Sequence, residues 1–370
     1  GVHDGSPYFA VNPMRYYCDT ASPRGSRVYG FSPEYGTCAL PCYEQILTFM
    51  PERLLWPMAG NEANWKYREG GGFDQLTKYH HLAVQAYGES KSLEEYAMKS
   101  QAADALGHRC LWETWNLARN HATGVLFWYN NTPIPQLGSH AWDYDLNQEA
   151  AFFAQRNALE PLHAQYEYLS NRVSVVSDIV TDRRLSVKAE VYDFHSQKVW
   201  EREAEITAKA ESCVDAFVIP FASPDQSNNP NNLNNRTISR LPHFIKLRLF
   251  ESGREIASTF YWRSNSAYDE ARREEAIGPC AGGFEELVNL PKTAVRTERT
   301  ARGVKVKNVG DKLAFFVRIK AMKGGKLVVP VHYSDNYLNL LPGESREVEI
   351  EGLPDGAELV VRAWNSEVQG

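Results

Sequence analysis

Glu34 stands between Pro33 and Tyr35-Gly36, just after the short apolar run 28–31 and ahead of a helical pattern over 43–50. A carboxylate held in a turn between a strand and a helix can serve as a nucleophile or as a general acid or base. In repeated strand–helix units, reacting groups sit where strands end. Glu34 is therefore the candidate catalytic residue; capping the helix or facing solvent is the plain alternative. A second acid, Glu62 in Gly60-Asn61-Glu62, follows Trp56-Pro57 rather than a strand, which weakens its claim. The Gly70-Gly71-Gly72 run lacks both the Gly-Lys-Ser/Thr ending and the leading strand of a phosphate loop. The six cysteines form no C-x-x-C pair. Cys38 and Cys42 are four apart with no histidine near them, so buried thiols are expected rather than a zinc site. A disulfide from Cys18 to Cys38 or Cys42 is the alternative in an exported protein. His80-His81 has no third ligand in sight and reads as surface. Neither a metal nor a cofactor is expected.

The 370 residues suggest two or three domains. With 43% hydrophobic and 23% charged residues, the composition is that of a globular protein. A formal net charge of -6 leaves no electrostatic footprint for nucleic acid, and no apolar run is long enough to span a membrane. Gly1 leads directly into a polar, turn-rich stretch with no leader peptide, as expected of a processing boundary. Aromatic residues make up 12% of the chain and many precede residue 170, including Tyr8, Phe9, Tyr16 and Tyr17 in a loop-like start. Aromatic faces suit sugar rings, though they also build ordinary cores. Asn130-Asn131-Thr132 and Asn235-Arg236-Thr237 match the glycosylation pattern; the second, in an Asn-rich loop, is the accessible one.

Three segments must position these residues. Residues 51–91 are irregular. Ser92 and Glu95 form a capping box for a helix expected over 92–119. The apolar run 124–129 reads as a buried strand of a parallel sheet, followed by a polar loop at Asn130 and a helix over 147–163. Residues 28–163 thus read as the last part of a (β/α)8 barrel, too short to be a whole one. After Glu167 the apolar period changes to two, over 173–177, 185–194, 199–208, 214–221, 244–250 and 256–263. A connector over 264–290 leads to a second alternating region ending near 362. The expected fold is multidomain α/β plus all-β: the C-terminal portion of a (β/α)8 TIM barrel at 1–165, then two immunoglobulin-like β-sandwich domains at 166–275 and 276–370.

The motifs GFSPEYGTCALPCYEQI, KSLEEY…ETWN, GVLFWYNNTPIPQL, ALEPLHAQYEY and HYSDNYLNLLPGE occur in that order. Together they resemble the C-terminal half of glycoside hydrolase family 2 enzymes, in the branch of β-mannosidases, exo-β-glucosaminidases and glycoprotein endo-β-mannosidases. The resemblance implies a retaining double displacement with two carboxylates about 5–5.5 Å apart. It makes Glu34, in a Pro-Glu motif, the nucleophile. The family's acid lies in an Asn-Glu pair upstream of the nucleophile; Glu62 imitates that pair in the wrong order, so the acid is expected from a missing N-terminal portion or a partner chain. By the same resemblance Trp128 stacks beneath the sugar, with Tyr35, Asn130 and Asn131 as further substrate contacts. The segment Ser139–Asp145 matches the family's aromatic-acid motif imperfectly, so sugar contact there is doubtful. The implied partners are an oligosaccharide or glycan substrate and the N-terminal part of the same enzyme as a separate polypeptide; no nucleic acid and no membrane are expected. A secreted, periplasmic or vacuolar/lysosomal location is favoured over the cytoplasm. Exo-β-glucosaminidase specificity is the first alternative, and a non-catalytic carbohydrate-binding or scaffold subunit the second.

Overall fold

The computed structural model describes residues 31–36, 39–69, 87–120, 122–128, 130–168, 170–221, 241–263 and 284–366, with the backbone alone at 32–35. The aromatic residues of the first loop, Cys18, Cys38, Cys280, the Gly70–Gly72 run, His80-His81 and the glycosylation motif at Asn235 lie outside them. Helices α1 (Tyr43–Phe49), α2 (Glu62–Tyr67), α3 (Leu93–Leu117) and α4 (Ala150–Ala158) are described. Helix α3 starts where its capping box places it: Ser92 Oγ accepts from the Glu95 N–H at 3.2 Å, and Glu95 reaches back to the Lys91 N–H at 2.9 Å. Its central residues Ala102, Ala103, Ala105, Leu106, Cys110 and Leu111 are all buried, so the helix lies in protein on more than one face. Helix α4 ends well short of residue 163. Pro161 disfavours helix at the residue before it, and a strand begins at Leu162.

The chain divides into two compact units. The first comprises Gly1–Gly36, Leu106–Trp128 and Ala154–Glu286; the second comprises Thr37–Ala105, Tyr129–Phe153 and Leu287–Gly370. In the first unit, β1 (Phe31–Tyr35) and β2 (Gly124–Phe127) form a two-stranded parallel sheet. A β-sandwich follows. One of its sheets has the order β3 (Leu162–Tyr166), β4 (Arg172–Ser177), β7 (Ser212–Val218). The other has the order β6 (Lys198–Ala208), β5 (Arg183–Tyr192), β8 (His243–Glu251), β9 (Arg254–Arg263). All these pairings are antiparallel. Alternation buries Val173, Val175, Val187, Ala189, Val191, Leu247 and Leu249, which form the sandwich core.

One buried acid ties α3 to this sandwich. Glu113 is fully buried; its Oε1 lies 3.0 Å from His163 Nε2 on β3 and accepts from Tyr261 Oη on β9 at 2.6 Å. Its carbonyl accepts from Gln165 Nε2 at 3.1 Å, and Tyr261 Oη in turn accepts from the Tyr166 N–H at 3.1 Å.

The second unit contains another sandwich. One sheet has the order β10 (Val295–Arg299), β11 (Gly303–Asn308), β16 (Ser345–Glu351), β14 (His332–Tyr333). In the other, β12 (Ala314–Lys323) pairs with β13 (Lys326–Leu327), β15 (Leu338–Leu340) and β17 (Glu358–Arg362). Three buried asparagines satisfy its loops. Asn308 Nδ2 donates to the carbonyls of Lys312 and Leu340; Asn365 Nδ2 donates to those of Pro291 and Leu313; Asn336 both donates to and accepts from Ile319. A separate apolar cluster of Leu40, Ile46, Met50, Trp65, Leu93, Tyr96 and Leu137 packs α1, α2 and the start of α3.

The TIM-barrel expectation is corrected. The sheets are open. Apart from the single parallel pair β1–β2, the strand pairs of the four larger sheets are antiparallel, and the described residues hold four α-helices. Two parallel strands have two edges each way to satisfy and cannot close on themselves. The two β-sandwiches match the remainder of the expected class. Among the described residues, β3, β14 and β15 are strands that the sequence reading did not foresee, β3 lying at the end of the expected helix over 147–163.

Truncating Glu113 would strand His163 and Tyr261 without their shared acceptor. Glu113→Ala is expected to cost about 3–5 kcal/mol in urea unfolding, and Glu113→Gln less, because an amide oxygen still accepts from Tyr261.

Candidate active site

The register of β1 and β2 aligns Phe31 with Gly124, Ser32 with Val125 and Tyr35 with Phe127, with an irregularity between Ser32 and Tyr35. Glu34 lies inside that irregularity, on the strand itself rather than in a turn after it. A bulge of this kind re-aims side chains and recurs beside functional sites. The next residue but one, Gly36, is buried, and a Cβ there would come within 2.4 Å of the Trp128 carbonyl oxygen. Glycine alone permits that approach. The backbones carrying Glu34, Tyr35 and Trp128 are therefore gathered at the C-terminal end of one parallel strand pair. Trp128 is 52% exposed.

Asn130 and Asn131 belong to the second unit and are exposed. The Asn130 carbonyl accepts from the Trp142 N–H at 3.0 Å, and Asn131 bridges to Trp142 in parallel fashion. Glu62 is exposed at the start of α2, where its Oε1 accepts from the Gly60 N–H at 2.9 Å. That backbone bond holds its carboxyl below the usual range. A carboxylate so stabilised is a poor proton donor. In the 139–145 segment, His140 and Asp143 are buried, so these two do not face a substrate.

Asp143 instead belongs to a buried cluster that the sequence reading passed over. Cys42, Asp143 and Glu149 place their donor atoms within 4.8 Å of one another, and all three are buried. Glu149 Oε1 accepts from Asn147 Nδ2 at 3.2 Å and from the Cys42 N–H at 3.3 Å; Asp143 Oδ1 accepts from the Asn147 N–H at 2.9 Å. Burial, and then the Asp143 charge, push the Glu149 carboxyl well up. Burial pushes Asp143 up to about 6, with Asp145 adding to the rise. Burial also raises the Cys42 thiol, against the pull of Arg318. Among the described residues this is the group that could hold a metal ion. The nearby Arg318 guanidinium opposes a cation, and these acids keep protons more readily than they release them. Cys42 is a free thiol, which removes it from the disulfide alternatives. No local sequence signal marked the cluster: Glu149 directly precedes helix α4, where an acid is ordinary.

Beside this cluster, Glu44 on α1 accepts from Arg318 at 2.6 Å and from Lys320, both on β12. Burial works against the Glu44 charge, but the two cations outweigh it and hold the carboxyl down to about 2.

The described residues thus hold a short parallel strand pair carrying Glu34 and two antiparallel β-sandwiches, a multidomain α/β plus all-β class. Comparison with known proteins agrees. Residues 171–265 match a family model described as a mannosidase Ig/CBM-like domain, and residues 281–366 one described as an exo-beta-D-glucosaminidase Ig-fold domain. The exo-beta-D-glucosaminidase of Hypocrea jecorina is 23% identical over 95% of this chain and 41% of that protein. The mannosylglycoprotein endo-beta-mannosidase of Lilium longiflorum is 24% identical over 99% of this chain and 44% of its own length. In fold, the crystal structure of the Amycolatopsis orientalis exo-chitosanase superposes with a TM-score of 0.81 at 21% identity, covering 97% of this chain and 44% of that one. The beta-D-mannosidase from Dictyoglomus thermophilum does so at 0.71 and 15% identity, covering 99% of this chain and 40% of that one. Over most of its length the chain is similar to members of the glycoside hydrolase family 2 superfamily, in the branch of exo-β-D-glucosaminidases, endo-β-mannosidases and β-mannosidases. It spans less than half the length of these relatives.

Gly36→Ala would drive a methyl group into the Trp128 carbonyl. It should destabilise the β1–β2 pair by about 1–3 kcal/mol, the usual cost of overpacking, read as a lower urea midpoint for the first unit.

Proposed function

We propose that this chain is the nucleophile-bearing part of a retaining glycoside hydrolase acting on β-mannosidic or related β-glycosidic bonds of glycans. The observation that carries the reading is the close approach of Gly36 to Trp128, which sets the backbone of Glu34 beside an exposed tryptophan at one strand end. In this reading the Glu34 carboxylate attacks the anomeric carbon while a second carboxyl protonates the departing oxygen. Water then hydrolyses the glycosyl ester, with the same second group acting as base. The sugar's apolar face stacks on Trp128, and Tyr35, Asn130 and Asn131 bind its hydroxyls. The second carboxyl comes from another portion of the enzyme or from a separately cleaved polypeptide, because Glu62 is exposed and the Gly60 N–H holds its carboxyl below the usual range.

A second specificity has its own support: exo-β-D-glucosaminidases recur among the relatives, and the model matching residues 281–366 carries that description. Aryl β-mannoside and aryl β-glucosaminide assayed side by side separate the two, and inactivity on both in the reconstituted enzyme would leave a binding or scaffold role.

Glu34→Gln in the reconstituted enzyme is expected to lower kcat by about a thousandfold or more, with the sandwiches unchanged by circular dichroism. A slow 2-fluoro glycoside should label the peptide containing Glu34 in the wild type and leave the variant unlabelled. Full activity in Glu34→Gln would end the nucleophile assignment.

A further inference from the structure

The two acids of the buried cluster have a geometry that the proposed chemistry does not use. Each carboxyl has one oxygen supplied with donors: Oδ1 of Asp143 by the Asn147 N–H, and Oε1 of Glu149 by Asn147 Nδ2 and the Cys42 N–H. The other oxygens, Asp143 Oδ2 and Glu149 Oε2, are buried and accept from no donor among the described residues. Two carboxylates facing each other without water cannot both be ionised. One proton held between them supplies the missing donor to one acid and the missing partner to the other.

The surrounding charges favour the same proton count. Glu44, near the start of α1, faces Arg318 and Lys320 from β12. Cys42 from the turn before α1, Asp145 from the same loop and Tyr337 from the turn before β15 are the remaining titratable neighbours, and burial keeps Cys42 and Tyr337 protonated. Arg318 and Lys320 both pair with Glu44, and Asp145 adds a like charge beside the pair, which favours its keeping a proton.

The pair also closes a loop. The Glu149 N–H donates to the Ala141 carbonyl at 3.0 Å, Trp142 bridges to Gln148, and Gln148 Oε1 accepts from the Tyr333 N–H at 2.7 Å. The next strand of this small ladder is the Asn130-Asn131 segment, held by the Trp142 N–H. We infer that Asp143 and Glu149 share a single proton, and that this proton is a pH-sensitive clamp on the loop that presents Asn130 and Asn131. The consequence for substrate rests on the reading of those asparagines as sugar contacts; the clamp itself does not.

The direction of the pH effect follows from linkage. Both acids are held above their ordinary range, so the folded protein keeps a proton that the unfolded chain releases. The clamp's contribution is fully present below about pH 4. A second proton, on Asp143, leaves at about 6, and the shared one is lost only as pH rises further, through the raised range of Glu149. Glu44 acts in the opposite window, because its support is present above about pH 4.5 and is lost only as pH falls toward about 2.

The test is thermal unfolding of the enzyme containing this chain between pH 4.5 and 8, with hydrogen exchange read at the amides of Trp142 and Glu149. In the wild type, the folding equilibrium should fall by up to about tenfold per pH unit across the window, and protection at both amides should fall with it. Glu149→Gln, whose amide donates without titrating, should flatten both profiles; Asp143→Asn provides the same comparison if the first variant folds poorly. A pH-independent wild type, or a variant with the wild-type slope, overturns the clamp. So does a rise in Tm on adding Zn2+ or Ca2+ that Glu149→Gln abolishes, since an ion would then occupy the proton's place. If the stability profiles behave as expected while KM for the aryl glycoside has the same pH dependence in both proteins, the clamp stands and the assignment of Asn130 and Asn131 as sugar contacts fails.

Discussion

Buried charge is the constraint on which the two units of this chain depend. An ion removed from water is tolerated only with a partner of good geometry, and the partners here come from far along the sequence. Glu113 on α3 meets His163 and Tyr261 from the first sandwich. Glu44 on α1 meets Arg318 and Lys320 from the second, 274 and 276 residues away. Each contact fastens a helix to a sheet, which ordinary apolar packing does less specifically. Asp143 and Glu149 answer the same rule differently in our proposal: Arg318 is engaged by Glu44, and a shared proton stands in for a directly paired cation.

The candidate catalytic end obeys a steric constraint instead. The β1–β2 pair is short, and the close approach of Gly36 to the Trp128 carbonyl is what brings its two functional strands into line. A parallel pair with an irregularity at Glu34 gives the acid a place that neither a regular strand nor a simple turn would provide. The sandwiches contribute a rigid support, with alternating residues sealed inside and asparagines answering the loop carbonyls. Asn308, Asn336 and Asn365 each bond two or more backbone groups, so the turns they serve are set by side chains rather than by strand pairing.

Much of the architecture was legible in the chain. The period-two runs after residue 167 became strands within a few residues of their expected limits, because burial of one sheet face imposes that period locally. The capping box at Ser92 and Glu95 located the start of α3 for the same reason: its partners are three residues apart. Short elements were less legible. The strands β14 and β15 have two and three residues and carry no measurable period. Helix α4 looked longer than it is, since the apolar residues of β3 continue its pattern past Pro161.

What the sequence determined by itself was the pair of sandwiches, the long helix and the resemblance to family 2 glycoside hydrolases that singles out Glu34 and Trp128 as candidates. These rest on local periodicity and on ordered motifs, both of which exist before folding. Tertiary structure alone decided that the parallel strands form an open pair rather than a barrel wall. It also left Glu62 exposed and bonded to the Gly60 N–H, buried Asp143, and placed Glu149 against Cys42 across 107 residues of chain. Those outcomes depend on which distant groups share a desolvated volume, and no spacing along the chain encodes that.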